Sequence, residues 1–333
     1  MTVATIARLA GVSPATVSKV LNGRAGVATD TRTRVEELLR DKGYQRPAAI
    51  TPAASLEVVF YDLESHLAIE ILRGVERVAQ GYEMAVGFTE IKGRAAGDRS
   101  WTDQVLVRRP TGVIAVHSEF TARQQAQLIS SAIPVVALDP SGEPTHAIPS
   151  VGATNWSGGV AATRHLLDLG HRRIAAISGP AGYLSARARL DGYRAALDAA
   201  GVEADPGLIR TGRFWFEDGL ALGRELLRLA VPPTAVVCGN DLQALGLYEA
   251  ARQAGVTIPE ELSVVGFDDT EYSRWCGPPM TTVRQPLADM GAAAAELVLS
   301  LAAGQVPEQT RLELATTLVV RRSTAEPGRG QGH

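Results

Sequence analysis

The chain has 333 residues, is 45 % hydrophobic and carries a net charge of −3, which is enough apolar material for more than one core and too much chain for one small domain. Its apolar runs fall short of the roughly 18 residues of a membrane span, and the N-terminus has no signal-peptide core. Two cysteines, and six histidines without H-x-x-x-H spacing, support neither a disulfide framework nor a metal site, so the expectation is a reduced cytoplasmic protein with no metal and no cofactor.

The first predicted element is a helix on which Ile6, Ala7, Leu9 and Ala10 share one face. Gly11 supplies a tight turn, and Ser13 before Pro14 reads as an N-cap with proline in the first turn of a second helix. On that helix Val17, Val20 and Leu21 point inward. Pro14, Ala15, Thr16, Ser18, Lys19 and Asn22 point outward, a row of small, hydroxyl, amide and cationic groups suited to a DNA major groove. A third helix follows Val27-Ala28-Thr29, with Val35, Leu38 and Leu39 inward and Gly43 as its stop. Through Arg46 there are eight Lys or Arg against four Asp or Glu, a balance of +4 in a chain of −3, so positive charge is concentrated where phosphates would be met.

Residues 47–55 read as a linker, and from Leu56 short apolar runs alternate with helical patterns. The runs are Leu56 to Phe60, Met84 to Phe88, Gly112 to His117, Pro134 to Asp139, Arg173 to Ser178, Ala235 to Gly239 and Ser263 to Asp268. Strand alternating with helix predicts parallel sheets covered on both faces, and the number of units predicts two doubly wound lobes. In such sheets ligands sit beyond the carboxyl ends of the strands, so the cleft between lobes is the expected pocket. Asp139, Arg187, Asn240 and Asp268 lie just past strand ends or turns, and together suit a polyhydroxylated ligand. Asp241, beside Asn240, reads instead as a structural helix-start residue.

The segment I-A-R-L-A-G-V-S-P-A-T-V-S-K-V-L-N-G, ending at R-D-K-G-Y, resembles the headpiece of the LacI/GalR family of bacterial transcription regulators. The resemblance implies that Pro14, Ala15 and Lys19 read bases, and that Thr2, Ser13, Thr16, Ser18 and Asn22 cap helices or contact phosphates. G-H-R-R-I-A-A-I-S-G-P, S-A-R-A-R-L-D-G-Y-R-A-A-L, G-N-D-L-Q-A-L-G, I-P-E-E-L-S-V-V-G-F-D-D and P-P-M-T-T-V-R-Q-P are similar to the regulatory core of that family. It implies Arg187, Asn240, Asp268 and Gln285 as effector contacts, Asp139 as a first-lobe contact, Phe214 as the aromatic of the cleft, and Asp62 and Glu64 as further pocket residues. Trp156 and Trp275 read equally as cleft aromatics or interface packing.

The fold class expected is therefore α/β: an N-terminal helix-turn-helix three-helix headpiece (1–46), the linker (47–55), and two doubly wound parallel-sheet lobes like those of periplasmic binding proteins (56–323). Lobe 1 takes about 56–152 and 286–314, lobe 2 about 154–282 and 315–323, and 324–333 read as a disordered tail. The family's N-x-x-A-x-x-L hinge helix is missing. Q-R-P-A-A-I-T-P-A-A-S stands in its place, and Pro47 and Pro52 oppose a helix there, leaving Ile50 as a substitute for the missing leucine wedge.

The function expected is a homodimeric repressor of a carbohydrate-utilisation operon, released from a palindromic double-stranded operator by a small sugar, with no membrane partner. V-F-Y-D-L-E-S and S-V-G-A-T-N-W-S-G-G look like actinobacterial regulators of plant-polysaccharide use, which favours xylose or a xylo-oligosaccharide. Ile69, Leu72, Val75 and Val78 offer an apolar face to a partner subunit or to the core. The alternatives are a cytosolic sugar-binding protein, or a regulator responding to a phosphorylated sugar or nucleoside. An enzyme is not expected: Asp268 and Asp269 are sequence neighbours and cannot flank one bond from opposite sides, and no nucleophile elbow, P-loop or dinucleotide fingerprint is present.

Overall fold

The computed structural model describes residues 3–21, 26–42, 54–60, 63, 67–91, 101–117, 122–140 and 148–328. Thr2, Asn22, Gly43, Pro47, Ile50, Pro52, Asp62 and Glu64 lie outside the described residues. The chain divides into two compact units, Met1–Ala53 and Ala54–His333.

In the first unit, α1 (Val3–Ala10), α2 (Pro14–Leu21) and α3 (Thr29–Asp41) close around Ile6, Ala7, Ala10, Val17, Val20 and Val35. Gly11 between α1 and α2 has φ +64°, a turn conformation that glycine adopts without a Cβ penalty. Ser13 caps α2, its Oγ accepting from the Thr16 N–H at 3.1 Å. Leu9, expected inward, is 51 % exposed. At about 100° per residue the buried stripe of so short a helix centres on Ile6, Ala7 and Ala10, which leaves Leu9 on its flank.

The second unit holds two six-stranded sheets. The first contains β1 (Ser55–Phe60), β2 (Ala85–Glu90), β3 (Gly112–Val116), β4 (Val135–Leu138), β5 (Ser150–Ala153) and β11 (Arg311–Leu314), all parallel, in the order β11-β5-β4-β3-β1-β2. The second contains β6 (Ile174–Ser178), β7 (Ile209–Thr211), β8 (Ala235–Cys238), β9 (Ser263–Asp268), β10 (Thr281–Arg284) and β12 (Thr317–Val319), ordered β12-β10-β9-β8-β6-β7, with β12 antiparallel. Central strands such as β3 and β6 are buried on both faces, hence their unbroken apolar runs.

Helices cover both sides of each sheet. α4 (Leu67–Gly81) and α12 (Leu287–Ala302) pack on one face of the first sheet, α5 (Trp101–Arg108) and α6 (Ala122–Ser131) on the other. α7 (Asn155–Asp168) and α8 (Leu184–Ala199) cover one face of the second, α9 (Phe216–Leu227) and α10 (Asp241–Ala254) the other, with a short α11 (Glu271–Trp275) after β9. On α4, Val75 is buried and Leu72 and Val78 pack against the same core; only Ile69 of the four expected partner-facing residues is exposed.

The chain crosses between lobes from β5 to α7, from β10 to α12 and from β11 to β12. Two crossings are stitched together: Thr154 N–H donates to Leu314 O at 2.9 Å, and Thr316 N–H to Thr154 Oγ1 at 2.9 Å. The C-terminal segment expected to be a tail packs on lobe 2 through Gly328. Val264 N–H reaches Ser323 O, Ala325 N–H reaches Ser263 Oγ at 3.0 Å, and the buried His171 ring meets Ala325 O at 2.9 Å. These partners satisfy a backbone that composition alone marks as irregular.

Helices α7 and α8 meet backbone to backbone. A Cβ on Gly192 would stand 2.2 Å from Trp156 O, and one on Gly159 2.2 Å from Arg189 O, so these glycines set how closely α7 and α8 approach each other. Gly192→Ala is expected to destabilise the core by about 1–3 kcal/mol through overpacking. Gly182→Ala, whose Cβ would meet nothing within 4 Å, should leave the urea midpoint unchanged when unfolding is followed by circular dichroism.

Candidate functional site

The first unit presents the start of α2 to solvent. Ser13, Pro14, Ala15, Ser18 and Lys19 are exposed and Thr16 is half-buried, its hydroxyl 2.9 Å from that of Ser13. Valines 17 and 20 anchor the opposite face. Capped and anchored in this way, the helix offers short side chains, one cation and a polar N-terminal turn, chemistry that fits base edges and phosphates.

In the second unit the expected pocket residues gather at strand carboxyl ends. Asp139 follows β4 and Asp268 ends β9, both with positive φ (+44° and +110°). Between them comes Arg189, from α8. Its Nε donates to Asn155 Oδ1 at 2.8 Å and its Nη1 to Gly239 O at 2.6 Å, and Nη1 lies 3.6 Å from Asp268 Oδ1. The guanidinium stacks 3.7 Å over the Phe267 ring and 5.9 Å from that of Phe214. Burial pulls its pKa down, while Asp268, Asp139 and Asp241 push it back up; arginine remains a cation in such a setting.

Arg189, not Arg187, is the arginine the structure brings to Asp268, and Arg187 is exposed. The helical period carries the distinction. Ala186, Arg189, Tyr193 and Ala196 recur at spacings of three and four on the buried face of α8, and Arg187 falls off that stripe.

Asp139 is held from its own lobe. His117, at the end of the neighbouring β3 and itself at φ +48°, places Nε2 3.1 Å from Asp139 Oδ2. Burial alone would raise the Asp139 pKa; the His117 hydrogen bond and charge, with Arg189, more than reverse that and leave it below the usual carboxylate range. Gln285 is buried, with Nε2 donating to Asp268 Oδ1 at 2.6 Å. Its Oε1 is buried without a hydrogen-bond partner.

Asn240 does two local jobs: Oδ1 caps α10 by accepting from Gln243 N–H at 2.9 Å, and Nδ2 donates to Phe214 O at 2.9 Å. It thereby holds Phe214, at φ +69°, with its ring over the β6 and β8 ends, where a Cβ on Gly179 would lie 2.0 Å from it. Asp241 is structural, as expected. It accepts from Thr282 Oγ1 at 2.6 Å and from Thr270 N–H at 2.7 Å, and burial raises its pKa to about 7. Asp269 is bound by Arg321 and by Arg284.

Two cavities lined from both lobes open along this cleft. One of about 360 Å³ is lined by Asp139, Asn155, Trp156, Ser185 and Glu313; the other, of about 470 Å³, by Ile69, Arg73, Asp268, Arg284 and Gln285. Trp156 thus sits at the cleft. Trp275 is exposed and packs edge-on against Tyr272 at 6.2 Å.

Two family models match the chain: bacterial regulatory proteins of the lacI family over residues 2–47, and a periplasmic binding protein-like domain over 163–324. A transcriptional regulator of the helix-turn-helix type, encoded in the aml 5′ region of Streptomyces limosus, is 37 % identical over 97 % of this chain and 94 % of its own. The transcriptional regulator CelR in complex with cellobiose matches at a TM-score of 0.73 and 31 % identity, covering 97 % of this chain and 99 % of that one. The lac repressor dimer bound to operator and an anti-inducer matches at 0.71 and 27 %, covering 98 % and 99 %.

Replacing Arg189 by methionine leaves Asp268 buried without its cation and is expected to cost about 3–5 kcal/mol. Arg187→Ala should change stability by no more than about 0.5 kcal/mol. Urea unfolding of the two variants beside the parent separates them.

Proposed function

The chain belongs to the lacI family of bacterial regulatory proteins, and from that premise we propose that it is a repressor of a carbohydrate-utilisation operon. One observation carries the reading: a single chain combines a groove-reading helix with a cleft in which carboxylate, guanidinium, amide and aromatic groups converge from two lobes. Asp139 and Asp268 suit hydroxyl donors, and the Phe214 ring suits the apolar face of a sugar. A homodimer seats one α2 in each of two successive major grooves of a palindromic operator. A sugar bridging the cleft walls favours one lobe angle over the other, and shifts DNA binding only as far as its affinities for the two arrangements differ. Cellobiose in CelR supports a carbohydrate, and xylose or a xylo-oligosaccharide is the first effector to try.

For the dimer, lobe 1 offers its outer edge. β2 ends the sheet, and Phe88 on it and Ile69 on α4 are 59 % and 60 % exposed. Edges of this kind are normally covered. Pro47 and Pro52 in the linker favour an operator without a deep minor-groove wedge.

Fluorescence anisotropy against DNA upstream of the gene, at fixed salt and with a panel of pentoses, hexoses and their oligomers, tests the reading. Tight binding that one neutral or phosphorylated sugar abolishes is expected. Binding indifferent to every sugar overturns the carbohydrate effector. Lys19→Ala should weaken binding, and if Lys19 meets a phosphate the salt slope falls by about one. Phe88→Arg should shift the mass measured by light scattering from dimer to monomer.

A further inference from the structure

We propose that lobe 1 carries a second ligand site, separate from the cleft, for a small apolar amine. Its hydrocarbon body fills a groove at the amino ends of β3, β4 and β5, and its ammonium head meets the C-terminal ends of α6 and α12.

The groove has a volume of about 470 Å³, within the range of roughly 300–1,000 Å³ that small-molecule sites occupy. Thr111, Pro134 and Pro149 line it from the positions immediately before β3, β4 and β5, Leu128 and Ile129 from α6, and Leu301 from the last turn of α12. The cleft lies past the opposite ends of the same strands. β3 has five residues, so roughly 16 Å of sheet separates the two places.

Strand ends leave backbone N–H and C=O groups to be satisfied. Here two of the three strands are preceded by proline, which brings ring carbons and has no N–H. The proline carbonyls are consumed inside the sheet: Pro134 O accepts from Val113 N–H and Pro149 O from Ala137 N–H, each at 2.9 Å, while Thr111 N–H donates to Ser55 O at 2.8 Å. The floor is left to side-chain carbon. Leu128, Val135 and Ile148 belong to the core on this side of the sheet and turn their outer surface to the groove. Ile129, also lining it, is 66 % exposed, so an apolar body seated here covers hydrocarbon that otherwise faces water.

The rim supplies the polar end. Helices run against the strands in this lobe, and two of them finish at the groove: α6 at Ser131, followed by Ala132 at φ +57°, and α12 at Ala302. Ala132 and Ala302 both line it. A helix leaves its last carbonyls without intrahelical partners and carries the negative end of its dipole there. Two such ends at one rim favour a cationic donor and disfavour a carboxylate, which selects an apolar amine over a fatty or aromatic acid.

Three probes of one shape test the proposal by isothermal titration of the full chain: 4-phenylbutylamine, 4-phenylbutanol and 4-phenylbutyrate. The amine is expected to bind saturably, one molecule per chain, about tenfold more tightly than the carboxylate, with the alcohol between them. Ala302→Phe fills the groove and should weaken the amine at least about tenfold. Exposed Ile129 allows a charge change that leaves the core alone. Ile129→Asp should tighten the amine about threefold and Ile129→Lys weaken it about as much, with the opposite order for the carboxylate. A merely structural effect of replacing Ile129 would move all three probes alike.

A carboxylate that binds as tightly as the amine overturns the head-group assignment. Binding that Ala302→Phe and both charges at Ile129 leave unchanged is adventitious apolar binding only, and overturns the site, as does failure of every probe to saturate. None of these outcomes bears on the sugar titration, so the two readings fail separately.

Discussion

The cleft depends on Arg189. Two carboxylates, Asp139 from one lobe and Asp268 from the other, are buried near a single guanidinium, and without that charge they would repel each other across the opening. The guanidinium is fixed by a side-chain amide, a backbone carbonyl and an aromatic face, so its position is set within the protein. The glycines of α7 and α8 bear on the same charge: the backbone of Arg189 lies directly against Gly159, and any bulk there would push α8, which carries Arg189, away from α7.

Strain is concentrated where the chemistry is. His117, Asp139, Phe214, Asp268 and Asp269 are non-glycine residues with positive φ, and His117, Asp139, Asp268 and Asp269 lie at or next to a strand carboxyl end. Such conformations cost free energy and persist when their surroundings over-determine them. Here the surroundings can be named. Asp241 clasps Thr270 just after the Asp268–Asp269 turn, Asp269 is locked by arginines, and Asn240 holds the Phe214 carbonyl. Asp241 and Asp269 are thus the scaffold of the cleft, and Asn240, whose amide is engaged at both ends, belongs to that scaffold.

Much of the DNA-binding unit was legible in the sequence because its determinants are local. A turn glycine, a serine cap, proline in the first turn and valines at helical spacing specify α2 within ten residues, and each is found in that role. Leu9 was misplaced because a helix of two turns buries a narrower stripe than its apolar residues suggest. In the core, buried strands announced themselves as apolar runs. The short β5, β7, β10, β11 and β12 did not, because they take their identity from neighbours distant in the chain.

The sequence by itself determined the class of the protein, the doubly wound alternation, and the carboxylates and amides at strand ends, since periodicity and end position are properties of a few consecutive residues. Only the tertiary structure decided which of two arginines two positions apart reaches Asp268, that His117 faces Asp139, that Gln285 keeps an unpaired acceptor, and that residues 324–328 pack on lobe 2. Each of these is a meeting of side chains or backbone across strands, helices or lobes. A one-dimensional pattern shows which groups are available; the fold decides the distance and direction at which they meet.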